Sequence, residues 1–265
     1  MLTDAQVEKF KADGFVCGGR VVDDEHLEQL RSDLERVIHD HGRADGRQPV
    51  SLRNLSGDDD APVWQIVNIY EASDAFGRLI DLPAITEEIA QLTGAHELRI
   101  WHDQVQYKPA QKGGVNMWHQ DGPLWRILEP KSQVSAWIAL DDVDEANGCM
   151  TMVRGSHHWG NQIEYLHKAK SFDSLAEDHQ GRPLQRALCP VAKGCVHYHD
   201  ALTWHASHAN NSGRPRRAIA IHYMTERTRY NASGDHLMQK FVTVADGAKL
   251  EGERFPLVWQ ANHHG

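Results

Sequence analysis

In the stretch Trp118-His119-Gln120-Asp121-Gly122-Pro123, an imidazole and a carboxylate stand two residues apart. On a β-strand such residues share one face, so both could reach neighbouring positions on one divalent metal. Two histidines and one carboxylate form the ligand set of non-haem Fe(II) oxygenases, because it leaves three positions open for substrate and O₂. A lone His-x-Asp is an ordinary exposed strand pair more often than a metal site. Here a second imidazole, His205, lies downstream, and Arg216 follows it by eleven residues at the head of the apolar run Ala218-Ile219-Ala220-Ile221.

Such a site needs strands to hold it, and the hydrophobic period supplies them. From Glu97 onward apolar residues recur every second position. Short strands are expected at Ile100–Lys108, Met117–Asp121, Val134–Leu140, Met150–Val153, around Val191, at Cys195–His199 and at Ala218–Met224, parted by Gly, Pro, Asn and Asp. Many short strands in one run predict a β-sandwich or jelly-roll barrel. Residues 1–95 read as helical. Thr3 or Asp4 caps a first helix ended by Gly14. Asp23 or Asp24 opens a second, with Leu27, Leu30, Leu34, Val37 and Ile38 at helical spacing and Gly42 as its stop. Pro83 opens a third, ended by Gly94. Residues 43–62 read as a polar loop at an active-site edge, and Asn161–Leu188 as a polar insertion over one mouth of the barrel. The expectation is one domain over 1–265: a helical part (1–95), a jelly-roll core (96–225) and a C-terminal extension (226–265). His263 and His264 are read as a terminal tail.

Composition narrows the function classes. A net charge of −9 lacks the basic stripe of a nucleic-acid binder. The four cysteines form no C-x-x-C pair, which fits a reducing compartment. No apolar run approaches the ~20 residues of a membrane span, and the first residues lack a signal-peptide profile. A cytoplasmic protein acting on a small molecule is the expectation, with the oligomeric state open.

Taken together, Trp118-His119-Gln120-Asp121, Trp137-Ile138-Ala139-Leu140-Asp141-Asp142-Val143, Asn147-Gly148-Cys149, Gly155-Ser156-His157 and His205-Ala206-Ser207 running to Pro215-Arg216-Arg217 resemble the phytanoyl-CoA dioxygenase family of Fe(II)/2-oxoglutarate oxygenases. The match is good over about residues 97–225 and loose over the N-terminal helices. It implies a mainly β fold with an α annex: a double-stranded β-helix (jelly-roll, cupin-like) with the N-terminal helices packed on one sheet. It also implies Fe(II), 2-oxoglutarate and O₂ as cofactor and cosubstrates, with ascorbate as the usual reductant in vitro.

The resemblance assigns His119, Asp121 and His205 to the metal and Arg216 to the distal carboxylate of 2-oxoglutarate. A guanidinium suits that task because it offers parallel donors and keeps its charge. Alternation puts Arg216, Ala218, Ala220 and His222 on one face and Arg217, Ile219, Ile221 and Tyr223 on the other, which favours Arg216 over its neighbour. Ser207, Trp137 and Gln104 match further cosubstrate contacts. Gln65 stands where some relatives carry a lysine. Gln104, Gln106 and Lys108 share one face, an odd polar row unless it lines a wet cavity. Trp118, Trp125, Arg126, Arg154 and His157 are candidate substrate contacts. Hydroxylation is the expected reaction. Alternatives are a non-catalytic metal-binding or sensor jelly roll and a halogenase; the latter needs a vacant position where Asp121 stands.

Overall fold

Thr3 starts the first helix. Its hydroxyl accepts from the Gln6 amide while the Gln6 side chain accepts from the Thr3 amide, a reciprocal cap for two otherwise unpaired N–H groups. In this computed structural model, which describes residues 1–111 and 113–261, α1 spans Asp4–Asp13. It stops at Gly14 with φ of 84°. A Cβ at Gly14 would lie 2.5 Å from the side chains of His157 and Thr203, so glycine also permits the close approach of a later loop. α2 (Asp24–His39) is capped by Asp23 and buries Leu27, Leu30, Leu34 and Val37. α3 (Pro83–Thr93) has proline in its first turn and Gly94 in the left-handed region after its last.

The strands are β1 (Phe15–Arg20), β2 (Ser51–Asn54), β3 (Trp64–Val67), β4 (Glu97–Lys108), β5 (Asn116–His119), β6 (Val134–Ala139), β7 (Met150–Val153), β8 (Arg186–Cys189), β9 (Cys195–Asp200), β10 (His205–Ser207), β11 (Arg216–Thr225) and β12 (Leu257–Gln260). The large sheet runs β1-β9-β6-β11-β4-β3-β2, with β12 also on β4, and the small sheet runs β8-β7-β10-β5. From β4 to β11 the chain alternates between them: large, small, large, small twice, then large, small, large. The pairings among these strands are antiparallel. This is the double-stranded β-helix, a jelly roll whose two sheets face each other across one interior.

Parity decides what each face does. On β11, Ile219, Ile221 and Tyr223 join the core beneath the helices, with Leu27, Leu30, Leu34, Ile85 and Ile89. Ala218 and Ala220 point between the sheets and pack with Trp137, Met150 and Met152. A third cluster, around Trp101, Trp125, Met224, Met238 and Phe255, fills one end of the barrel. Residues 226–261 contribute to it, and the chain returns so that β12 can pair with β4.

Three expectations change. Residues 43–62 are not loop throughout, because Ser51–Asn54 pairs with Trp64–Val67 and widens the large sheet. β1, in a stretch where no strand was expected, forms the sheet's other edge against β9. The segment read as an insertion over a mouth instead buries Leu166, Phe172, Leu175 and Leu184 on the outer face of the small sheet, and ends in a strand paired with β7. Its few apolar residues lack a regular period, so composition alone made it look like a polar cover. His263 and His264 lie outside the described residues. No helix among the described residues is long and apolar enough to cross a membrane.

Arg217 ties α2 to the barrel. Its Nε and Nη2 donate to the Asp141 carboxylate at 3.0 and 2.8 Å, and Nη1 stands 3.5 Å from Glu35. Arg217→Ala should lower unfolding free energy by ~1–3 kcal/mol, the usual range for losing hydrogen bonds to a charged, partly buried group. Urea denaturation measures this.

Candidate metal centre and its two chambers

β5 ends at His119 and β10 begins at His205, and the two residues are direct partners across the small sheet. Asp121 is not on the strand. It sits in helical backbone, φ −71° and ψ −50°, heading the turn Gly122–Leu124. The following proline offers no ladder N–H, and the Gly122 amide is taken by the carbonyl of Ala201. The carboxylate still comes back to the imidazoles. Asp121 Oδ1 lies 3.6 Å from His119 Nε2 and 3.7 Å from His205 Nε2, and the three ligand atoms fall within 4.8 Å of one another.

The surrounding bonds select the atoms left for a metal. His119 Nδ1 donates to the carbonyl of Met117 at 2.7 Å, and His205 Nδ1 donates to that of Thr203 at 2.9 Å. Each Nε2 therefore keeps its lone pair facing Asp121. On the far side of the carboxylate, Oδ2 accepts from His199 Nε2 at 3.2 Å and from the Ser135 hydroxyl at 3.4 Å. Ser135 is fixed in turn by a 2.7 Å bond to His222 Nδ1. Burial, then the neighbouring His205, pulls His119 down to about 4. Burial opposes ionisation of Asp121, but the imidazoles of His205, His199 and His222 outweigh it and hold the carboxyl well below its ordinary range. Two neutral imidazoles and an ionised carboxylate are the protonation states that a divalent metal requires.

The triad lies between two connected chambers. The inner one, about 40 Å³, is lined by Trp137, Met150, Ser207, Ala220 and, at its end, Arg216. Arg216 is fully buried, with its guanidinium 5.2 Å from the centre of the Trp137 ring. Only Nη2 is engaged, donating to the carbonyl of Gly148 at 3.2 Å; Nε and Nη1 find no hydrogen-bond partner among the described residues. Burial lowers Arg216 to about 10, so it remains a cation at neutral pH. An orphaned buried guanidinium costs several kcal/mol unless an anion completes it. The inner chamber therefore fits a dicarboxylate that spans from metal to arginine. The outer chamber, about 290 Å³, opens to solvent past Trp125, His102, His222 and His236 and shares His119, Asp121, Gln104 and Gln106 with the inner one.

A model of the family described as phytanoyl-CoA dioxygenase (PhyH) matches residues 10–218. The chain belongs to the phytanoyl-CoA dioxygenase (PhyH) family. It is accordingly an Fe(II)/2-oxoglutarate-dependent dioxygenase. Among PhyH relatives, ectoine dioxygenase of Bordetella parapertussis is 25% identical over 237 residues, covering 84% of this chain and 75% of its own. Peroxisomal phytanoyl-CoA dioxygenase of Rattus norvegicus is 21% identical, with 93% and 76% covered. Among solved structures, the non-haem alpha-ketoglutarate-dependent carbocyclase SnoK from nogalamycin biosynthesis superposes with a TM-score of 0.77 at 26% identity over 97% of both chains. The epimerase SnoN, solved with Fe³⁺ and alpha-ketoglutarate, superposes with a TM-score of 0.75 at 22% identity over 97% of this chain and 98% of its own, a likeness of fold.

Against this PhyH frame, the residues expected at the site separate into two groups. His119, Asp121, His205, Arg216, Ser207, Trp137 and Gln104 all line the inner chamber. Gln65 lines the outer one only, in register with Gln106. Trp125 also walls the outer chamber. Four expected substrate contacts lie elsewhere. Trp118 adjoins His119 on a strand, so it faces the other way. It is buried under the outer cover and donates Nε1–H to the carbonyl of Phe172 at 2.8 Å. Arg126 follows Trp125 and turns outward to a separate surface depression beside Glu129 and Glu164. Arg154 pairs with Asp13 of α1 and stacks over Phe15, and His157 bonds to the carbonyl of Lys11. Both hold the helical annex to the barrel.

Four residues of importance were missed or left without a role. His199 and His222, which fix Asp121 directly and through Ser135, had the right strand parity but nothing in the sequence tied them to a carboxylate in a turn. His236 comes from the returning C-terminal segment. Lys108 is opposite Arg216 on β4. Its Nζ donates to Ser207 Oγ at 2.8 Å and to the carbonyl of His208 at 2.7 Å. Ser207 accepts that bond and still has its hydroxyl hydrogen to donate.

Two outcomes follow from this geometry. Metal content measured on folded variants should fall to background for His119→Ala, Asp121→Ala and His205→Ala and persist in His197→Gln; a loss confined to His199→Ala would move the ligand there. Lys108 carries a pH signature. Burial, then the facing Arg216, lowers it to about 6. The unfolded chain then holds more protons than the native one between about pH 6 and the ordinary lysine value of about 10.4, so this group's destabilisation fades as pH rises through that window. Lys108→Met should be more stable than the unaltered protein near pH 6, with the gap closing toward pH 10 in denaturant titrations.

Proposed function

We propose that this PhyH enzyme hydroxylates an unactivated C–H bond of a small organic substrate while 2-oxoglutarate is decarboxylated to succinate and CO₂. The observation that carries this reading is one cavity with a His-Asp-His set at one end and a buried, under-bonded guanidinium at the other. His119 and His205 would present Nε2, and Asp121 would present Oδ1, to Fe(II). Fe(II) with 2-oxoglutarate and O₂ supplies the oxidising power for attack on a C–H bond. Arg216 would bind the far carboxylate, with Ser207 donating beside it and Lys108 setting that hydroxyl. Trp137 would cover the guanidinium and keep water from it. His199 and Ser135 would hold Asp121 so that its second oxygen does not swing toward the metal. The substrate would enter from the outer chamber.

A second reading, ring closure after the same C–H attack, draws on the likeness to SnoK, which is named a carbocyclase and matches over almost the whole chain. Halide transfer is disfavoured because Asp121 holds the position a halide would take.

Screening small metabolites for substrate-stimulated succinate formation with Fe(II), O₂ and ascorbate tests the reading, followed by product mass under ¹⁸O₂. One ¹⁸O per product indicates hydroxylation; a loss of two hydrogens without oxygen indicates ring closure or desaturation. Arg216→Ala should weaken 2-oxoglutarate binding by on the order of 2–5 kcal/mol, the range for breaking one side of a buried charged pair, and leave metal content intact. Arg217→Ala should change that affinity little, since its guanidinium faces α2. The reverse order in calorimetry would overturn the assignment of Arg216.

A further inference from the structure

The outer chamber carries a pattern that metal and cosubstrate do not need. Four of the eight exposed large apolar side chains among the described residues stand around its mouth: Leu55 (53% exposed), Met117 (38%), Leu124 (42%) and Leu237 (38%). They come from the loop after β2, from β5, from the turn after Asp121 and from the returning C-terminal segment. Isolated exposed leucines are ordinary, but four from separate segments around one concavity form a surface that a ligand covers. Below this collar the walls are Trp125, the imidazoles of His102, His222 and His236, and the amides of Gln65 and Gln104. The rings pack together, edge-on at Trp125–His222 and His102–His222 with centroids 4.7 Å apart, and stacked at His102–His236 with centroids 5.7 Å apart.

Charge is the complementary observation. Among the described residues, no lysine or arginine lines this chamber, and its sole carboxylate, Asp121, is held by His199 and Ser135. Arg126 and Arg154 point away, as described above. Arg53 is in register with Gln65 but is exposed at the sheet edge and does not line the chamber. An anionic or zwitterionic ligand would lose hydration here and meet no counter-charge, whereas hydroxyl and carbonyl oxygens would find amide and imidazole partners.

We infer that the substrate is an uncharged, predominantly apolar molecule carrying a few hydrogen-bonding oxygens, held at the rim by Leu55, Met117, Leu124 and Leu237 and along its flat faces by Trp125 and the imidazoles. This rests on reading the outer chamber as the substrate entrance of the oxygenase. It makes acyl-CoA thioesters, phosphorylated compounds and free amino acids the wrong class of substrate for this chain.

The test uses two probes of one skeleton at neutral pH, 1-naphthol and 1-naphthalenesulfonate, titrated by calorimetry into the full chain loaded with Mn(II) and 2-oxoglutarate, and into the metal-free chain. The naphthol should bind at least about tenfold more tightly than the sulfonate, a difference calorimetry resolves. Leu55→Arg and Leu237→Arg, both at exposed positions, should each narrow or reverse that preference without changing 2-oxoglutarate affinity. Equal or tighter binding of the sulfonate, no binding of either probe, or a preference untouched by both substitutions would overturn the inference. Failure of 2-oxoglutarate to bind while probe selectivity persists would count against the inner-chamber reading and leave the outer-chamber assignment supported.

Discussion

The carboxylate of Asp121 is the point at which the two sheets become one site. Its Oδ1 faces the imidazoles of His119 and His205 from the small sheet. Its Oδ2 is held by His199 and Ser135 from the large sheet. Because Asp121 sits in a turn, its own backbone could let the side chain rotate; the two donors across the interior prevent it. Each imidazole is likewise fixed by a carbonyl two residues away, so no ligand atom depends on a single torsion being favourable. A donor set arranged before the metal arrives loses less side-chain freedom on binding.

The same interior buries two basic side chains, Arg216 and Lys108, opposite one another on β11 and β4. Neither has a carboxylate partner among the described residues. Lys108 is lowered toward neutrality by burial and by Arg216, and Arg216 leaves two donors unmade. A chain selected for stability alone would fill this space with apolar side chains. The retained charge makes sense for a pocket completed by an anion, and the destabilisation it causes is borne by the large core under the helices, where β11, β6 and β9 pack on α2 and α3.

Packing around the barrel is correspondingly unequal. One face of the large sheet is sealed by helices. The outer face of the small sheet is covered by irregular chain through Leu166, Phe172, Leu175 and Leu184. Arg154 and His157 join that side to α1 and so serve the annex rather than the ligand. What stays open is one end, where the hairpin β2–β3 and the returning segment before β12 bring Leu55, His236 and Leu237 beside Trp125. That end has no lysine or arginine among its described lining residues, in contrast to the Arg216 buried beyond it.

Local rules acting within a few residues made much of this legible from the sequence. Capping at Thr3, Asp23 and Pro83 and glycine stops at Gly14 and Gly94 placed α1, the start of α2, and α3. Period-two alternation placed the main strands and separated Arg216 from Arg217. The spacing of His119, Asp121 and His205, together with the family likeness, pointed to three side chains that the structure brings within 4.8 Å of one another. Tertiary structure decided the rest, because the deciding contacts join residues far apart in the chain. Asp121 leaves its strand because Gly122 bonds to Ala201, about eighty residues on. His199 and His222 matter only once the sheets face each other. Lys108 reaches Ser207 across a 99-residue separation. Trp118, Arg126, Arg154 and His157 have side-chain types suited to ligand binding, yet strand parity and the docking of α1 turn them elsewhere. Residue type and spacing determine which chemistry is available; which side of a sheet meets which neighbour is settled only by packing the whole chain around one interior.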